Sequence, residues 1–148
     1  MRILAIDPGP VESAYVIMDD YKPVAFGKID NHDILGIVDS EKRLIVEMVS
    51  HYGTGMPAGK TVFDTCVWIG RFIERMDGTV DTILRATVKT HLCGMARAKD
   101  GNVIQALCDR FGEKGTKKHP GWFYGFAKDV WQAYALGVAW MDAQEAEE

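Results

Sequence analysis

Residues Arg2 to Ile6 form a short, almost wholly apolar run that stops at Asp7-Pro8-Gly9-Pro10, and this feature limits the fold more than any other. An apolar run of this length bounded by turn residues predicts a strand buried on both faces. It also sets a carboxylate, Asp7, at the carboxyl end of a central strand. Two more strand-like segments follow, Ser13 to Met18 and Pro23 to Ile29, separated by the polar Asp19-Asp20-Tyr21-Lys22. The first third therefore reads as a three-stranded meander.

Ile34 to Val38 predicts a short helical turn, and Arg43 to Val49 a fourth apolar strand with Glu47 inside it. A carboxylate in an apolar strand is costly unless it is paired, hydrogen-bonded or bound to a metal. After a glycine-rich loop from Tyr52 to Gly59, the segment Lys60 to Met76 carries Val62, Cys66, Ile69, Ile73 and Met76 at spacings of three and four, the pattern of an amphipathic helix. Phe63, Trp68 and Phe72 fall beside or behind that stripe, which makes the helix apolar on two sides. Val80 to Leu84 reads as a fifth strand, and Thr87 to Cys93 as a helical turn ending at Gly94. Asp100 is the expected N-cap of a helix that runs through Phe111 and stops at Gly112. Gly115 to Gly125 is a loop rich in Lys, Gly and aromatic residues. The final helix, from about Ala127 to Ala143, has Val130, Tyr134, Val138 and Met141 on one side and Asp129 in its first turn.

A chain of 148 residues with ordinary composition predicts one domain over its whole length. Its net charge of −4 gives no hint of nucleic acid, but the distribution does. From Arg85 to Lys118 there are eight basic residues against three acids, a local charge of +5, while Asp142 to Glu148 holds four acids and no base. Cys66, Cys93 and Cys108 lack metal-site spacing and are expected as reduced, partly buried thiols. The N-terminal MRILAID enters a strand directly, and no apolar stretch reaches the roughly 18 residues of a membrane span, so a soluble cytoplasmic protein is expected, in a bacterial or phage-infected cell.

Three acids stand out as a set. Cleaving a phosphodiester without a covalent intermediate needs a nucleophilic water and a stabilised leaving oxyanion, which paired Mg²⁺ ions about 4 Å apart supply. Magnesium prefers oxygen ligands, so such a site appears in sequence as carboxylates gathered from distant segments. Asp7, Glu47 and Asp129 meet that demand. Each also has a plainer reading: Asp-Pro-Gly is a common turn, Glu47 can pair with Arg2 or Arg43, and Asp129 can cap its helix. For His32, His51, His91 and His119, solvent-facing or structural roles are favoured over ligation.

The opening ILAIDPGP resembles the first motif of the RuvC Holliday-junction resolvases, in the RNase H-like superfamily. LIVEMVSHYG followed by GKTVFDTCVWIGRF resembles the second motif and its following helix in the phage-encoded members, and KDGNVIQALCDRFG and KDVWQAYALGVAW resemble their basic connecting region and last helix. The resemblance implies an RNase H-like α/β fold, a central five-stranded mixed sheet flanked by helices. It implies Asp7, Glu47 and Asp129 as catalytic ligands of Mg²⁺, with Mn²⁺ as a substitute. Many RuvC proteins place a second acid three residues after the one matching Asp129, and here that position is Gln132. An amide oxygen can bind a metal or position a water but brings no charge, so Gln132, Asp100 and His119 are candidates for a fourth ligand.

Arg97, Lys99, Lys114, Lys117 and Lys118 lie in or beside Gly-rich segments where a backbone can approach phosphates, and are the expected DNA contacts. Trp122, Phe123 and Tyr124 either stack on an unpaired base or pack under the last helix. The expected function is Mg²⁺-dependent nicking of branched DNA, foremost four-way junctions, by a homodimer joined through the Lys60 to Met76 helix. The alternatives are a less selective nuclease on the same scaffold and a junction-binding module that does not cut.

Overall fold

The computed structural model describes residues 1–50 and 59–148; the expected glycine-rich loop, apart from Gly59, and His51 lie outside the described residues. The meander forms where the sequence places it. β1 (Arg2–Asp7) pairs antiparallel with β2 (Glu12–Asp19), and β2 with β3 (Lys22–Asp30). β4 (Arg43–Met48) and β5 (Thr79–Leu84) add parallel neighbours, giving the order β3-β2-β1-β4-β5. This mixed sheet flanked by helices is the α/β, RNase H-like arrangement that was expected.

β1 is central and covered on both faces. Ile3, Ala5 and Ile45 belong to one apolar cluster, and Leu4, Ile6, Leu44 and Val46 to the other. The first cluster is closed by α5 (Val130–Ala146), the second by α1 (Asn31–Ser40) and α2 (Lys60–Arg75). Because side chains alternate along a strand, Asp7 and Glu47 share the face of Ala5 and Ile45 and point toward the α5 side. α5 is buried from Val130 through Met141, on all its sides, so its expected one-sided stripe is not what organises it. At Gly137 a β-carbon would collide with the Met18 sulfur, so the glycine lets the helix seat directly on β1 and β2. Burying each large apolar side chain in such a layer contributes about 1.5–3 kcal/mol.

Several elements depart from expectation for identifiable reasons. α1 is a full helix of 10 residues because the Asp30 carboxylate accepts the His32 N–H at 2.8 Å and Ile34, Leu35 and Val38 pack below the sheet. α3 (Arg85–Cys93) is likewise longer than a turn, ending at Gly94 in the left-handed region with φ 79°. In α4 (Asp100–Phe111) the cap is Lys99, whose N–H is accepted by the Asn102 side chain at 3.0 Å, so Asp100 is not the N-cap but the first helical residue. α2 is rotated from its expected stripe: it buries Thr65, Ile69 and Phe72 and leaves Phe63, Cys66 and Val67 exposed. The Cys66 thiol is thus not partly buried as expected, whereas Cys93 and Cys108 are.

A polar clamp closes the sheet end opposite Asp7. Asp142 of α5 accepts from Tyr21 (2.6 Å), from His91 of α3 (2.6 Å) and twice from Arg110 of α4 (2.7 Å each). Burial opposes the charge, but Arg110, His91 and Tyr21 hold the Asp142 carboxyl far below the usual carboxylate range. Among the described residues, no helix is long and apolar enough to cross a membrane.

Candidate active site

The carboxyl ends of β1 and β4 lie side by side, with Ile6 opposite Val46, and so bring Asp7 and Glu47 close enough that one guanidinium nitrogen, Arg85 Nη2, reaches both at 3.1 Å. Asp7 is 7% exposed. Burial first, then the hydrogen bond and charge of Glu47, raise its carboxyl to about 9; Arg85 pulls the other way and Asp129 adds a little. The site therefore sets two carboxyl groups together where water is scarce, a pattern typical of functional carboxylate pairs.

The turn after Asp7 is latched by buried polar groups. The Ser13 hydroxyl accepts the Gly9 N–H at 3.1 Å and donates to Asn31 Oδ1 at 2.5 Å, and the Asn31 amide donates to the Gly9 carbonyl at 2.9 Å. A β-carbon on Gly9 would run into the Glu12 carbonyl, so only glycine permits this turn. Asp7 is thereby fixed at the wall shared by two hollows. One is lined by Glu47, Thr65, Arg85 and Lys89, the other by Glu12, Lys28 and Asp129.

Asp129 precedes α5 as its N-cap residue but makes no cap bond; its carboxylate accepts instead from Lys28 Nζ on β3 at 2.7 Å. It lies across the second hollow from Asp7. Among the described residues, no three Asp, Glu, His or Cys side chains stand close enough together to hold one ion. The structure thus brings Asp7 and Glu47 together and sets Asp129 to one side. This pair still suits a hard divalent cation, because Mg²⁺ is commonly held by one or two carboxylates with waters and substrate phosphates completing its shell.

Arg85 is the residue that sequence reading missed. At the start of α3 its Nε donates to Glu47 Oε1 at 2.6 Å, and its Nη2 reaches both Glu47 Oε2 and Asp7 Oδ1 at 3.1 Å. Glu47 is therefore paired with neither Arg2 nor Arg43. Arg2 bonds Glu41 at 2.7 Å. Lys89, one turn further along α3, lines the same hollow and approaches Asp100 at 3.5 Å. Gln132 is buried and lines neither hollow, Asp100 is held by Lys89, and His119 is exposed in the 112–129 loop.

Arg97, Lys99, Lys114, Lys117 and Lys118 are all exposed, and among the described residues none forms an ion pair. They do not make one patch. Arg97 and Lys99 precede α4, whose first residue approaches Lys89 at the Asp7 end. Phe111, at the other end of α4, packs on Tyr21 at the opposite sheet end, and Lys114 to Lys118 follow from there. Lys117 and Lys118 sit at the tip of a tight turn closed by the Gly115 and Pro120 bridge, where β-carbons on Gly115 or Gly121 would strike backbone atoms. Phe123 is fully buried and so packs, while Trp122 stacks on Phe111 at 5.7 Å and donates to the Tyr134 hydroxyl at 3.1 Å yet stays 38% exposed. Tyr124 is 43% exposed.

No protein-family model and no curated protein matches the sequence. Among solved structures the chain resembles Thermus thermophilus RuvC, with a TM-score of 0.65 at 14% identity over 99% of this chain and 97% of that one. It also resembles T. thermophilus RuvC in complex with Holliday junction substrate, with a TM-score of 0.67 at 15% identity over 99% and 96% of the respective chains. The described residues accordingly have a RuvC-like fold.

Proposed function

We propose that this chain is a divalent-metal-dependent endonuclease that nicks branched DNA, four-way junctions first among its substrates. The observation that carries this reading is the Asp7 and Glu47 pair, buried at the carboxyl ends of adjacent parallel strands in a hollow that also holds Arg85 and Lys89. The RuvC fold supports it, as does the Holliday junction bound by the T. thermophilus protein.

Asp7 and Glu47 would hold the ion, Mg²⁺ or Mn²⁺, and Asp129, which the structure sets across the second hollow, would have to turn from Lys28 to supply a further carboxylate. A bound ion there would supply a metal-activated water and charge stabilisation for the leaving oxyanion. The chain's own residues set the rest. The Gly9, Ser13 and Asn31 latch keeps Asp7 in place, Lys28 orients Asp129, and Arg97, Lys99 and Lys89 draw the phosphate backbone toward the hollow. Resolving a four-way junction takes two symmetric nicks, which a two-fold homodimer provides. The exposed Phe63 and Val67 on α2 fit that interface. The basic middle of the chain, the fold and the carboxylate pair together fit a phage-type resolvase acting in recombination or repair.

One observation favours a second reading, a junction-binding module without cleavage: Gln132 stands where the resemblance calls for an acid, and it is buried outside both hollows. Incubating the protein with labelled four-way junction, Y-fork, duplex and RNA–DNA hybrid, with and without Mg²⁺, separates these readings. Paired nicks confined to the junction support the proposal. Nicks in every substrate indicate a less selective nuclease, and junction binding without nicks indicates the module.

A further inference from the structure

The guanidinium of Arg85 lies across the two carboxylates assigned to the metal. It makes three contacts of 2.6–3.1 Å, two to Glu47 and one to Asp7. Its side chain is 45% exposed, while those of Asp7 and Glu47 are 8% and 14% exposed. The cation thus covers the pair from the solvent side, the side from which an ion or a phosphate must arrive. A guanidinium fork matches carboxylate and phosphate oxygens equally well, so it can pass from one to the other. The α3 position helps: Arg85 directly follows β5, so its backbone is fixed while its side chain stays half-exposed to an arriving phosphate.

We propose that Arg85 is a cationic latch on the metal site. The guanidinium and a divalent ion compete for the same Asp7 and Glu47 oxygens, and a DNA phosphate entering the hollow draws the guanidinium away. Metal binding is then weak on the free protein and strengthened by DNA, which restrains cleavage until a substrate is seated. The inference rests on the proposed nuclease reading.

The test uses Mn²⁺ as the probe, its binding to the free full-length protein followed by electron paramagnetic resonance. Arg85→Ala should bind Mn²⁺ about tenfold more tightly than the native chain, equivalent to roughly 1.4 kcal/mol, because two facing carboxylates lose their resident cation. Arg85→Gln, which keeps the length and removes the charge, should do the same, and Arg85→Lys should remain near native. A merely structural arginine would not produce tighter metal binding on removal. Reciprocity adds a second readout: Ca²⁺ should raise native affinity for a four-way junction over that in chelator, and raise it less for Arg85→Gln. Thermal melts identify a variant that fails to fold, and Arg85→Gln then decides. If the native protein binds Mn²⁺ and cuts DNA but the variants bind Mn²⁺ no more tightly, the latch is overturned and the nuclease reading survives. If neither native protein nor variants bind Mn²⁺ and no DNA is cut, the nuclease reading itself falls.

Discussion

Asp7→Asn should make the protein more stable in chelator while removing its response to metal. The folded state raises the Asp7 carboxyl from 3.8 to about 9, so the folded chain holds that proton more tightly than the unfolded one does. Stability from this group is complete below pH 3.8 and drains away as pH rises toward 9, because the unfolded chain ionises freely while the buried Asp7 beside Glu47 does not. At pH 8 most of the penalty is in force. Linkage at 1.36 kcal/mol per tenfold shift gives an upper bound of roughly 6 kcal/mol at pH 8. That figure already includes the relief from Arg85, and Asn forfeits the 3.1 Å contact with that guanidinium. A net gain of about 1–2 kcal/mol remains, or ~3–6 °C in Tm for a domain of this size. Mg²⁺ at a hundred times its dissociation constant should stabilise the native chain by about 2.7 kcal/mol and leave Asp7→Asn unmoved, reversing their order. The assay is thermal unfolding by circular dichroism at pH 5 and pH 8, in EDTA and in Mg²⁺. A variant no more stable than native at pH 8 in EDTA, or a difference equally large at pH 5, would refute the charge argument.

Other outcomes follow from the same geometry. Arg97→Ala with Lys99→Ala, near Asp7, should weaken junction binding, flatten its salt dependence by about 0.9 in log–log slope per lost phosphate contact, and slow nicking. Lys117→Ala with Lys118→Ala, at the far end, should flatten the slope without slowing nicking at saturating protein; an unchanged slope in filter binding would make these lysines a solvated face only. Phe63→Asp or Val67→Asp should convert a dimer to monomer in sedimentation, and mild oxidation should cross-link native dimers through the exposed Cys66; a native monomer would remove α2 from the account. Gln132→Ala should cost stability but leave the Mg²⁺ concentration for half-maximal cleavage unchanged, since the amide lines neither hollow; a shifted midpoint would place Gln132 at the metal.

Much of the fold was legible because burial on both faces leaves a strong mark: Ile3 to Ile6 and Leu44 to Val46 are continuous apolar runs, and the parallel register then sets Asp7 beside Glu47. Helix faces were harder to read. α2 carries apolar residues on two sides, so periodicity alone did not fix which one meets the sheet, and α5 is buried all round, so its stripe carried little information. The cations of the site were not legible. Arg85 lies 38 residues from Glu47 and Lys28 lies 101 from Asp129, pairings created only when β5 and β3 are assembled into the sheet. The basic stretch is continuous in sequence but not in space, because α4 carries the chain from one sheet end to the other between Lys99 and Lys114.

The central claim is that Asp7 and Glu47 form the metal-holding centre of a junction-cutting enzyme, and cleavage of an end-labelled four-way junction tests it most directly. Native protein, Asp7→Asn and Glu47→Gln would be compared in Mg²⁺, with junction binding measured in parallel in chelator. The account predicts paired, symmetric nicks by the native protein and none by either variant, with both variants still binding the junction. Native protein that binds without cutting in Mg²⁺ or Mn²⁺, or a variant that cuts at near-native rate, would contradict it.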